Sequence, residues 1–182
     1  MNNSRQVTPE NKESFLQEFL NNIAWPAMAG NVAWSFFSVA IDPGCEGNTF
    51  PRLATLLALA FYLSAEWYRT KKGGATSLGL CFDLFLVICI VWFAIAIQAN
   101  KGAPGFALVL ILTAVGIGHL CSVWPPIGEG KGNIEFGRVN ILIAVVLSIA
   151  LQVSSSWQSW IIFFAMSTVL VAWWILRHGK TK

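Results

Sequence analysis

Charge is what this chain has least of. Charged side chains make up 12% of its 182 residues and hydrophobic ones 55%, against about 25% charged in an average soluble protein. A soluble fold of this one-domain length could not hide so much apolar surface, whereas a bilayer supplies an apolar solvent for it. Histidine is nearly absent, with His119 and His178 the only two. That excludes the histidine-rich di-iron sites of membrane desaturases and leaves no histidine pair on facing helices for a haem. The four cysteines, Cys45, Cys81, Cys89 and Cys121, show no CxxC spacing, so thiol redox chemistry is not expected. Three of them fall in apolar segments and read as small core residues, and Cys45 falls in a loop. A phosphate-binding glycine fingerprint is missing, as are a late-helix lysine for retinal and the arginine ladder of a voltage sensor. No Gly-x-Ser with a partnered His or Lys suggests an intramembrane protease. Without Lys/Arg runs interleaved with aromatics, nucleic acid is not a partner. No metal and no cofactor are expected.

What is present is a series of six apolar stretches, at roughly 23–41, 53–68, 78–97, 105–124, 139–153 and 157–176, each at or near the length that crosses a bilayer. The expected fold is therefore an all-α integral membrane protein, a six-transmembrane-helix bundle forming one polytopic domain over residues 1–182. Residues 1–22 are a lead-in, 23–176 hold the spans and 177–182 form a tail. Thr8-Pro9-Glu10 reads as a helix start, with a capping hydroxyl, proline at the first position and an acid in the first turn. Phe15, Leu16, Phe19, Leu20 and Ile23 then recur at helical spacing opposite Gln17, Glu18, Asn21 and Asn22. This predicts an amphipathic N-terminal helix lying in the interface, with a bend at Pro26. The polar, mixed-charge first residues do not resemble a secretory signal, so the first apolar stretch reads as a retained anchor.

Basic residues set the orientation. With both termini cytoplasmic, ten of the twelve lie inside, and only Arg52 and Lys101 lie outside. That is a strong positive-inside bias, and it places a multi-pass protein in a plasma or inner membrane. Trp67, Tyr68, Trp124, Trp173 and Trp174 fall at cytoplasmic helix ends, and Trp157 and Trp160 at an outer one, as interfacial belts require. Trp34 and Trp92 lie deeper and are candidates to line a cavity. The longest connection runs from Pro125 to Arg138 and is the expected cytoplasmic contact surface.

Four residues are candidates for function. Asn31 sits in an unusually polar first span beside Gly30, flanked by Ala29 and Ala33, a small-residue strip suited to close helix packing. It either hydrogen-bonds a neighbouring helix or meets something that passes through. Glu66, Asp83 and His119 are ionisable groups inside apolar segments, where such groups are expensive and mark pathways. Counted from the helix ends at about 1.5 Å per residue, all three lie roughly 4–8 Å from the same interface. Two acids and an imidazole at one depth suffice for a proton relay or a cation site. The blander readings are an interfacial Glu66–Arg69 pair at helical spacing and a packing role for His119 beside Gly116 and Gly118. Asn140, Arg138, Asn21 and Asn22 can approach from the same side.

The leading expectation is a small channel or transporter for a solute or ion, proton-linked through Asp83, Glu66 and His119. Six helices enclose only a narrow route, which a homo-oligomer or a partner membrane subunit would enlarge. The alternatives are a docking or substrate-capturing subunit of a larger complex, and an enzyme acting on a lipid at the cytoplasmic interface.

Overall fold

The computed structural model describes residues 15–42, 48–72, 77–101, 103–124, 132–153 and 157–178. These form helices and connecting turns, with no strand among the described residues. Six helices follow in order: α1 (Trp25–Ile41), α2 (Thr49–Lys72), α3 (Ser77–Ala99), α4 (Pro104–Leu120), α5 (Gly132–Val153) and α6 (Gln158–His178). The Thr8-Pro9-Glu10 helix start, Cys45, and the stretch of connection from Pro125 to Lys131 lie outside the described residues.

Residues 15–19 are helical and lead into α1 through a π-turn, Leu20–Ala24, in which the Trp25 amide reaches back to the Leu20 carbonyl. The turn stands immediately before Pro26, the residue whose ring disrupts ordinary helical bonding. The bend expected at that proline is therefore a widened turn within a continuous helix. Leu20 and Ala24 are buried, while Phe15, Phe19 and Ile23 stay exposed.

The helices form a closed ring, in the order α1, α2, α6, α5, α4, α3 and back to α1. Successive helices run in opposite directions, as two sets of contacts show. At one end, Arg52 at the start of α2 meets the last turn of α3, Phe50 meets Trp160 and Phe163 at the start of α6, and Gly105 faces Leu151. At the other end, the start of α3, the end of α4 and the start of α5 converge around His119.

The Arg52 end is held by polar contacts inside an apolar shell. Arg52, only 2% exposed, donates from Nε to the Ile97 carbonyl at 2.9 Å and from a terminal nitrogen to the Gln98 carbonyl. A guanidinium thus binds two carbonyls at the end of α3, with its charge at the negative end of the helix dipole. Ser35 of α1 donates to the Gln98 side chain at 3.1 Å, which ties α1 and α2 to the same turn. One of the two basic residues expected at the outer face is thus a structural clamp.

Apolar side chains cover the outside as well as the core. Leu142, Val145, Val146 and Ile149 make an exposed stripe on α5, and Phe164, Val171, Trp174 and Ile175 do so on α6. The buried set includes Ser35, Arg52, Thr55, Asp83, His119, Asn133 and Asn140. A few polar groups held inside an apolar core, under an apolar exterior, is an arrangement a lipid solvent favours. Among the described residues, three stretches are long and apolar enough to cross a membrane: Leu78–Ala99, Asn133–Gln152 and Gln158–Arg177, with mean hydropathy 2.8, 2.0 and 2.0. Thr49–Ser64 and Pro104–Leu120 are shorter apolar helices.

Several expectations change. Trp34 and Trp92 are exposed on the outer surface, because an apolar solvent there accepts a ring as readily as a core does. Cys81 and Cys121 are exposed too, and of the apolar-segment cysteines only Cys89 is buried. Helix α5 starts at Gly132 rather than near 139, since Asn133 and Gly137 face inward and are used in packing.

Candidate functional site

Helix α4 is stopped by backbone geometry. The Ser122 amide bonds the His119 carbonyl at 3.1 Å, and the Val123 amide the Gly118 carbonyl at 2.9 Å. Ser122 takes a left-handed φ of 52°. These are the paired bonds of a Schellman cap, with serine where glycine is usual. The cap reverses the chain, so Trp124 folds back over the last turn instead of continuing outward.

Trp124 is therefore not a belt residue. It is 6% exposed, and its ring lies directly on Gly118, where an added Cβ would overlap the indole. Its Nε1 donates to Asp83 Oδ1 at 2.9 Å, a charge-assisted bond when the carboxylate is ionised. Phe82 stands edge-on to the indole at 5.7 Å.

His119, fully buried, lies between Trp124 and Phe136, with ring centroids 5.2 and 5.1 Å away. Its Nδ1 is 3.3 Å from Asn133 Oδ1, and Asn133 Nδ2 points at the Trp124 carbonyl at 3.5 Å. With the amide turned that way, Oδ1 accepts and the imidazole donates from Nδ1. That tautomer makes Nε2 the ring atom that takes up a proton. The first turn of α5, which reads as loop in the sequence, thus orients the imidazole.

Asp83 and His119 line one small chamber inside the ring, walled also by Trp25, Tyr62 and Trp124. Its volume is about 20 Å³, room for one water-sized particle. An acid from α3 and an imidazole from α4 line the same space. Chemically, the pair can pass a proton through a single bridging particle or hold a small cation.

The other candidates lie elsewhere. The Glu66 side chain, in the last turns of α2, falls outside the described ones, as does that of Arg69. Asn31 is half-buried on α1, with Oδ1 shielded and lacking a hydrogen-bond partner, and it does not line the chamber. Asn140 is fully buried but donates to the Phe136 carbonyl of its own helix at 2.8 Å. Arg138 and Asn22 are exposed. Ala29, Gly30 and Ala33 face outward, and a Cβ on Gly30 would meet nothing within 4 Å. The expected packing strip is therefore left uncovered by the described residues.

Sequence reasoning missed Trp25, Tyr62, Trp124 and Asn133 as wall or support. The one signal for Trp124 is Gly118, six residues before it. Among the described residues no group of three His, Cys, Asp or Glu side chains could hold a metal ion. The chain matches no family model, no curated protein and no solved structure.

Proposed function

We propose that this chain is a six-span membrane bundle, with both termini on the cytoplasmic side, that moves a small solute or ion across the bilayer in a proton-linked way. The observation that carries the reading is the meeting of Asp83 and His119, each nearly or fully buried, on one water-sized chamber. Ionisable groups are costly at such depth and are kept where a pathway uses them. In this reading Asp83 and His119 Nε2 exchange the coupling proton, and Trp124 closes the chamber toward the cytoplasmic end.

The closed ring supports six spans, because α1, α2 and α4 occupy the same layer as the three helices long enough to cross alone. The orientation rests on the charge pattern of the sequence, in which ten of twelve basic residues fall in the segments assigned to the cytoplasm. The test is proton flux into proteoliposomes loaded with pyranine. Asp83→Asn should abolish flux while the purified protein stays folded. Undiminished flux would remove Asp83 from the mechanism.

The uncovered Ala29–Gly30–Ala33 face favours a second reading, a subunit that docks another membrane helix there. Ala33→Leu should then release a co-purifying membrane partner. Retention of the partner would place its contact elsewhere.

A further inference from the structure

We propose that the particle held in the chamber is a small monovalent ammonium-type cation, with ammonium itself the fitting size. This rests on the transport reading and names the ion for that site. Size comes first. A chamber of about 20 Å³ accepts a particle of water's dimensions, which ammonium has and an organic solute lacks.

The chemistry of the walls then selects among small particles. The Asp83 carboxylate, held in place by Trp124 Nε1, disfavours an anion. Hard divalent cations need a shell of oxygens, six to eight for calcium and near-octahedral for magnesium. The walls instead offer one carboxylate, the Tyr62 phenol, the His119 imidazole and two indoles, among aliphatic side chains. Ammonium suits that set. It donates N–H bonds to the carboxylate and to imidazole Nε2, and its remaining charge is stabilised by aromatic faces. Trp25, Tyr62 and Trp124 line the chamber and are each nearly buried, and a desolvated space is where cation–π attraction is strongest.

The experiment is thermal unfolding of the full chain in detergent, with ammonium, sodium, potassium or tetramethylammonium chloride at equal ionic strength. Ligands that bind only the folded state raise the midpoint. Ammonium should raise it above the sodium value, and tetramethylammonium, too large for the chamber, should not. Trp25→Leu removes one aromatic wall and should weaken the apparent ammonium affinity by about fivefold or more. Asp83→Asn should abolish the ammonium effect. If that variant does not fold, Trp25→Leu alone decides the location. Equal shifts with all four salts, no ammonium shift, or an unchanged ammonium affinity in Trp25→Leu would each overturn the proposal. Proton flux separates the two ideas. Flux lost in Asp83→Asn without ammonium binding sinks the cation and leaves proton linkage standing. Ammonium binding by a wild-type protein with no flux leaves the site and sinks transport.

Discussion

Replacing Gly137 with leucine is expected to leave no folded bundle, and alanine there should cost about 1–3 kcal/mol, the usual range for overpacking. Helices α4 and α5 cross at Gly116 and Gly137. A Cβ on Gly137 would stand 2.9 Å from the Gly116 carbonyl oxygen and 3.1 Å from the Leu120 amide nitrogen. Both are backbone atoms of a helix and cannot swing away as a side chain would. A Cβ on Gly116 would meet the Gly137 carbonyl oxygen at 3.0 Å, so the contact is reciprocal. In lipid, where apolar side chains gain little by leaving their solvent, close backbone approach of this kind is a main source of helix association. Gly30→Ala is the control, because its added Cβ meets nothing within 4 Å. It should stabilise by up to about 1 kcal/mol through helix propensity. Unfolding in mixed micelles with increasing SDS reads both. A Gly137→Ala protein as stable as Gly30→Ala would show that the helices do not cross this closely. The damage should also reach the chamber, because the same crossing brings Asn133 and Phe136 onto His119.

These two glycine sites show what the sequence can and cannot say. Gly116 and Ala29/Gly30/Ala33 look alike on paper, as small residues in apolar segments. One is packed to backbone distance, and the other is open. Hydropathy cannot separate them, because lipid and core are equally apolar, so the inward face of a helix is not written in its periodicity. The same symmetry misplaces Trp34 and Trp92, whose rings face outward. Helix positions are legible, since run length alone marks them. Helices α1, α2, α3 and α6 begin and end within about one turn of the apolar stretches. Boundaries fail where polar residues work inside. Asn133, Glu135 and Gly137 make the start of α5 read as loop, yet Asn133 holds the imidazole. The depth of Asp83 and His119 is legible from counting residues along rigid helices. Their convergence is not, because it depends on the rotation of α3 against α4. Trp124 is hidden for a different reason: only the chain reversal at Ser122 turns an interfacial tryptophan into a wall of the chamber.

Gly118→Ala is expected to reduce proton flux by roughly 10–100-fold, the loss that follows from breaking one charge-assisted hydrogen bond at the site. Gly118 touches neither Asp83 nor the His119 ring through a side chain, since it has none. Its role is to leave the space in which the Trp124 ring lies. A methyl group there displaces the indole, and with it the Nε1 donor to Asp83 and one wall of the chamber. Trp124→Phe breaks the same bond from the other side, keeping a ring on Gly118 but removing the N–H. Two unlike changes that break one contact should not add. The double variant should therefore lose little more flux than either single one, whereas independent faults would multiply. A fall in melting temperature with normal flux in Gly118→Ala would make Trp124 scaffold only. If flux falls in Trp124→Phe but not in Gly118→Ala, the N–H matters and its seat on Gly118 does not. Equal losses, without addition, would mean that the indole held on Gly118 keeps Asp83 in working position.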